Sequence, residues 1–200
     1  MTVLNFPDVP VESGSWGVQY RSRSFESELT GARQTSALPG AKWTGQIVVP
    51  NLPNNEIRAT KAFLNALRGD TGRFYFVPLD LDQLGTRLGS GVVSGAGQTG
   101  TQLTTSGWDA SQPLLFAAGD YFEINGELKQ ITQDIASNDS GNASLIFAPP
   151  LRKSPPDGAQ ILHVAPRAIM KLSDNQQSRW NLSAAYFAGT SFDIEEAIDV

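Results

Sequence analysis

The run from residue 54 to residue 78 constrains the fold more than any other part of the chain, because it joins a well-formed amphipathic helix to an aromatic strand. At helical pitch Ile57, Thr60, Phe63, Leu64 and Leu67 share one face, and Arg58, Lys61, Asn65 and Arg68 share the other. Asn54 is placed to cap the start. Glu56 falls in the first turn, where the helix dipole favours an anion. Gly69 is placed to stop the helix in a left-handed conformation. The exit Gly72-Arg73-Phe74-Tyr75-Phe76-Val77 then reads as a strand, aromatic and central. Nearly everything else reads as strand and turn. The predicted class is therefore mainly β: a β-sandwich with one packed helix over 54–69.

Before the helix, Trp16, Val18 and Tyr20 alternate with Gln19 and Arg21, the pattern of a half-buried strand. A second alternating strand carries Trp43, Gly45, Ile47 and Val49, and Pro50 and Pro53 close it. The tract Gly31–Gly40 between them is expected to be a loop. From Thr86 to Pro166 the chain turns rich in Gly, Ser, Thr, Asn and Asp, with short strand-like runs separated by turns. That spacing predicts a small β-barrel. The expected layout is a discontinuous sandwich domain (1–85 plus 167–200) with the barrel (86–166) inserted at a loop tip.

Asn125-Gly126 is a strong hairpin signal. A two-residue loop sets Ile124 opposite Glu127 and Glu123 opposite Leu128. One more loop residue pairs Ile124 with Leu128 and Glu123 with Lys129, which fits a one-sided core better. At the C-terminal end Phe192, Ile194, Ile198 and Val200 alternate with Asp193, Glu195, Ala197 and Asp199, which predicts a strand with an acidic outer face. Glu196 is the misfit, falling on the apolar side.

The formal charge is −5, and residues 86–166 carry 4 Lys+Arg against 7 Asp+Glu, which argues against a nucleic-acid-binding surface. The absence of cysteine removes disulfides, thiolate metal sites and thiol catalysis. The first residues lack the pattern of a signal peptide, and no stretch approaches the ~18 apolar residues of a membrane span. A soluble chain with no membrane insertion is expected.

No chemical constellation stands out. Gly95-Ala96-Gly97-Gln98-Thr99-Gly100 matches a dinucleotide fingerprint, but the residues after it make a poor helix and no βαβ unit surrounds them. It reads as a turn, and no cofactor is expected. His163, the only histidine, lies in an apolar run and reads as an ordinary strand residue. The acid pairs Asp80/Asp82, Glu123/Glu127 and Glu195/Glu196 read as solvated surface carboxylates. Asp139-Ser140-Gly141-Asn142 lacks the ligand count of a calcium loop and reads as a turn. Of the tryptophans, Trp16 and Trp43 are expected in the core. Trp108, after Ser106-Gly107, is the best candidate for an exposed aromatic that contacts glycans.

Several segments, in order, resemble the distal tail proteins of long-tailed, non-contractile bacteriophages. They are Phe25-Glu26-Ser27-Glu28-Leu29-Thr30-Gly31, Pro39-Gly40 before Trp43, and the helix exit Leu67-Arg68-Gly69…Gly72-Arg73-Phe74. In the insert they are Gly119-Asp120-Tyr121-Phe122 and Ser140-Gly141-Asn142-Ala143 followed by Pro149-Pro150-Leu151-Arg152. The resemblance implies a structural virion protein at the tail tip, assembled in the host cytoplasm and not an enzyme. Such proteins form a ring, usually of six copies, that joins the tail tube protein to the tail-tip, receptor-recognition proteins. It also implies a sandwich with a helix and, in some members, an inserted barrel of the OB-fold type.

Two further expectations concern this ring. DNA passes through it without specific binding, so Asp193, Glu195 and Asp199 are expected to line its channel, because acids there repel phosphate. The basic helix face with Arg58, Lys61 and Arg68 is expected at the subunit interface. The competing reading is a carbohydrate-binding accessory acting through the barrel and Trp108. A nucleotide-dependent enzyme is the weakest of the three.

Overall fold

The computed structural model describes residues 2–176, 181–182 and 187–198; Trp180, Asp199 and Val200 lie outside the described residues. Its order is β1 (Val3–Asn5), β2 (Ser13–Glu26), β3 (Arg33–Pro53), α1 (Asn54–Leu67) and β4 (Arg73–Phe76). There follow β5 (Gly89–Val93), β6 (Gly100–Trp108), β7 (Tyr121–Ile124), β8 (Glu127–Ile131) and β9 (Ala143–Leu151). The chain ends with β10 (Ala168–Leu172), β11 (Asn181–Leu182) and β12 (Phe187–Glu196). The mainly β class with one packed helix and a small barrel is what the structure shows.

The first sheet runs β1-β4-β10-β12-β3-β2, with β11 added against β12. Its core joins Trp43, Ile47 and Val49 of β3 to Phe74 and Phe76 of β4, with Phe192 and Ile194 of β12. The helix lays Ile57, Thr60, Phe63, Leu64 and Leu67 on this core, the face expected from the 3.6-residue period. Each large apolar side chain there contributes about 1.5–3 kcal/mol by leaving water.

The helix ends differ from expectation. Pro53 occupies the N-cap position, and no side chain caps the first turn. Asn54 lies inside the helix, and its Oδ1 accepts from Lys61 Nζ at 3.1 Å. At the other end Arg68, not Gly69, takes the first left-handed position (φ 54°), its N–H returning to the Asn65 carbonyl. Gly69 follows at φ 72° and begins a 3-10 turn. A Cβ on Gly69 would stand 2.3 Å from Asn175 Oδ1, so close approach as well as backbone conformation demands glycine here.

The second sheet runs β5-β6-β9-β8-β7. Residues 159–162 close it into a barrel. Val93 N–H donates to the Ala159 carbonyl (2.9 Å) and Ile161 N–H to the Gly91 carbonyl (2.9 Å), while Glu123 and Leu162 exchange both backbone bonds (2.7 and 2.9 Å). The barrel core holds Leu103, Trp108, Phe116, Phe122, Leu145 and Phe147. Gly95–Gly100 is the turn leading into β6, with Gly95, Gly97 and Gly100 all at positive φ.

The expected loop at 31–40 is a correction. Strand β3 begins at Arg33, and β2 and β3 stay paired out to Glu26↔Arg33. The turn occupies only the residues between them. Every residue from Gln19 to Gly40 is exposed. Strand periodicity in a sequence reflects burial of one face, and a ribbon bare on both faces has no such pattern.

The Asn125-Gly126 hairpin is a second correction. Its register is the two-residue one, Ile124↔Glu127 and Glu123↔Leu128, with Asn125 at φ 52° and Gly126 at φ 78°. A one-sided core was the wrong premise. All four residues of β7 are buried, since Tyr121 and Leu128 reach the sandwich core while Phe122 and Ile124 fill the barrel.

Candidate functional site

Two features set this molecule apart: a charged junction between sandwich and barrel, and the bare ribbon of β2 and β3. The junction begins at Trp43. Its ring stacks on Trp16 (5.1 Å, 6°) and leans on Tyr121 (5.8 Å), while its Nε1 donates to the Leu128 carbonyl of the barrel at 2.9 Å. Beside it Glu196, 3% exposed, accepts from the Trp43 backbone N–H (3.0 Å) and from Arg152 Nη1 (2.8 Å), and also pairs with Arg152 Nη2. The misfit acid of the C-terminal strand is thus the sandwich half of a fork-on-carboxylate pair, and Arg152, just past β9, is the barrel half.

Glu127 extends the network. It accepts from the backbone N–H of Arg152 (3.1 Å) and Lys153 (3.2 Å), and from Nζ of the fully buried Lys129 (2.7 Å). Lys129 also donates to the Pro150 carbonyl at 2.9 Å. Burial lowers the Lys129 pKa, and the Glu127 charge opposes that shift. Glu123 is the mirror case. Burial raises its carboxyl pKa, while the Arg167 backbone N–H and guanidinium pull it down. Glu123 and Glu127, expected on the surface, are each only 7% exposed, because β7 and β8 lie between the two cores.

At the barrel entrance Asp120, 1% exposed, accepts the backbone N–H groups of Leu84 (2.8 Å), Gly85 (2.9 Å) and Ala117 (2.9 Å). Sequence reasoning missed this tie. Its signal is the glycine at 85, where a Cβ would lie 2.7 Å from Asp120 Oδ2. Tyr121, next in the chain, donates to Asp80 at 3.0 Å; burial and that carboxylate both raise its pKa.

Trp108 is not an exposed aromatic. It is 5% exposed, its Nε1 donates to Thr105 Oγ1 at 2.7 Å, and its ring meets Phe116 edge-on at 5.3 Å. The glycine before it holds a positive φ inside β6. Gly91 explains the fit, since a Cβ there would stand 2.0 Å from the indole. His163 lies against the same ring at 5.5 Å, and burial lowers its pKa. The Asp139–Asn142 segment is a turn, organised by Asn138 Oδ1 accepting from Ser140 and Asn142 N–H. Among the described residues no group of three metal-ligating side chains occurs, and no helix is long and apolar enough to cross a membrane.

Of the expected channel acids, Asp193 and Glu195 fall on the outer face of the first sheet, as the alternation implied. Asp193 is exposed and accepts from Gln46 Nε2 at 2.9 Å. Glu195 is held between Lys42 and Lys171, the latter at 3.2 Å. Asp199 lies outside the described residues. The Lys42 and Lys171 charges offset the acids, so this face is less acidic than the last strand alone suggested. Burial pushes the Glu195 pKa up, but hydrogen bonds from the two lysines outweigh it and hold the carboxyl below its ordinary value. Its contribution to stability is therefore present above that value of 4.5 and lost as pH falls through the depressed one. In an acid titration of unfolding free energy, Glu195→Gln should lose less stability than the parent over that interval. On the helix, Arg58 and Arg68 are exposed, whereas Lys61 is half-buried and bonded to Asn54.

The ribbon has two unlike faces. Arg21, Arg23 and Phe25 stand opposite Leu38, Ser36 and Gln34, with Arg23 over the Phe25 ring at 5.6 Å. The other face holds Ser22, Ser24, Glu26, Arg33, Thr35 and Ala37. Tyr20 is 62% exposed, Phe25 58%, and Leu29, in the turn, 97%. A two-stranded hairpin is at best marginally stable alone in water, and among the described residues no further strand pairs with either edge of this one.

The fold and junction define a class: a mainly β body carrying a small barrel locked to it by buried charge. No protein-family model matches the chain, and a search of curated proteins gave no match.

Proposed function

We propose that this protein is a structural subunit of a bacteriophage tail, forming a ring at the distal end of the tail tube. In this reading it joins the tube protein to the tail-tip proteins that recognise the host, resides in the virion and performs no catalysis. The observation that carries the reading is the ribbon of β2 and β3. It carries apolar and aromatic side chains facing water and, among the described residues, two unpaired edges, a construction suited to contact with another subunit. The ordered segments that resemble distal tail proteins include this ribbon's turn and the helix exit.

The rigid junction also fits an assembly part, because a barrel fixed to the body by buried ion pairs transmits load. The carbohydrate-binding alternative loses its aromatic contact with the burial of Trp108. Native mass measurement and negative-stain imaging of the purified chain test the ring. Closed rings, six copies being the expected number, support it; a monomer that also fails to assemble with tail-tube ends sinks it. An assembled-ring map with Asp193 and Glu195 on the outer wall would remove them from the channel.

A further inference from the structure

We infer that the segment closing the barrel is an acid-released latch pinned at His163, shut while that imidazole is neutral and loosened when the ring takes up a proton. The barrel sheet runs β5-β6-β9-β8-β7, so β5 and β7 are its edges. Residues 159–162 bridge them, bonding Gly91 and Val93 on one side and Glu123 on the other. His163 follows directly. Its carbonyl accepts from Gln83 Nε2 (3.3 Å) and Arg87 Nη1 (3.1 Å), so the connections entering and leaving the barrel meet at this residue. Its half-buried ring leans on Trp108 at 5.5 Å and meets Phe116 at 6.5 Å, and its buried Nδ1 has no hydrogen-bond partner.

This setting suits the neutral ring. An imidazolium donates from both nitrogens, and here the proton on Nδ1 would be left unpaired. Burial is the largest cause holding the His163 pKa down; a Gly89 backbone hydrogen bond opposes it, and the Arg87 charge adds to it. Trp108 and Phe116 face the ring without charge. Of the acids on neighbouring elements, Asp120 is taken up by three backbone N–H groups and Glu123 by Arg167, while Asp82 and Asp109 are exposed. Burial raises the Glu123 carboxyl pKa, so its own titration works the other way, the closed state gaining as that acid neutralises.

In the opened segment the imidazole meets water and titrates near its ordinary 6.5; in the closed one it titrates lower. The latch is therefore at full strength above 6.5 and weakens as pH falls through the lower value. Between the two values one proton taken up on opening shifts the equilibrium about tenfold per pH unit. None of this depends on ring assembly.

Because His163 is the chain's only histidine, its imidazole titration is read by NMR without overlap. The expected midpoint lies below 6.5. Hydrogen exchange, corrected for the intrinsic rate, should show the Ile161 and Leu162 amides losing protection several-fold between about pH 7 and about pH 5, while the β6 amides keep theirs. His163→Phe, which cannot take up a proton, should hold that protection across the range. A midpoint at or above 6.5, or a loss shared equally by β6, would overturn the latch, and both are read in the parent alone. An equal loss in parent and His163→Phe would overturn it as well.

Discussion

Replacing Arg152 with methionine will destabilise the protein by about 3–5 kcal/mol, the usual cost of stranding one partner of a buried ion pair. Glu196 is left with one backbone donor, the Trp43 N–H, and its side chain is only 2% exposed. For a chain of this length each kcal/mol moves the melting temperature by about 2–4 °C, so a fall of roughly 6–20 °C is expected. Thermal and denaturant unfolding measure it. The double variant Arg152→Met with Glu196→Met should recover most of the loss, because the desolvation cost disappears with the second charge. A double variant no better than the single would show that the arginine acts by packing and not by charge. Hydrogen exchange adds a local readout: in Arg152→Met the backbone amides at positions 152 and 153, which donate to Glu127 in the parent, should exchange faster than they do in the parent, while the β6 amides change less.

Trp43→Ala should cost a similar amount, about 3–5 kcal/mol, for a different reason. The indole is 1% exposed, stacks on Trp16, and is the donor to the Leu128 carbonyl across the junction. Its removal leaves a cavity in the sandwich core and an unpaired carbonyl at the barrel edge. Trp43→Phe keeps much of the apolar volume but not the donor, so it should fall between parent and alanine. The difference between Phe and Ala variants, read from denaturant unfolding, separates packing from the hydrogen bond. A Phe variant as damaged as the alanine one would place the whole effect in that bond.

The helix was legible because its period is local. Ile57, Phe63, Leu64 and Leu67 repeat within one element and bury together whatever lies beyond them. The core strand with Trp43, Ile47 and Val49 was legible for the same reason, one face being apolar over several residues. The ribbon was not, since its strands meet only each other and water, and no selection for burial marks their alternation. Trp108 was misjudged because a glycine beside an aromatic does not show what packs on it: Gly91 is small so that the indole fits, and Gly107 holds a positive φ against the Ser90 carbonyl.

Glu123, Glu127 and Glu196 show where local reasoning stops. Each sits beside a turn or strand end where an acid is ordinarily solvated. Each is instead covered because the barrel presses β7 and β8 against the sandwich; Arg167 and Arg152, the partners of Glu123 and Glu196, arrive with that contact, whereas Lys129, the partner of Glu127, lies on the same strand.

By itself, then, the sequence determined the class, the helix face, the positions of most strands and the turn sites. These follow from backbone preferences and from periodicity over neighbouring residues. Only the tertiary structure decided which acids are buried, the register of the Asn125-Gly126 hairpin, and that β2 and β3 extend as a bare ribbon. Those outcomes depend on what covers the second face of an element. For Glu196 that cover is Arg152, 44 residues away in the chain; for the ribbon, the fold of a single copy supplies none.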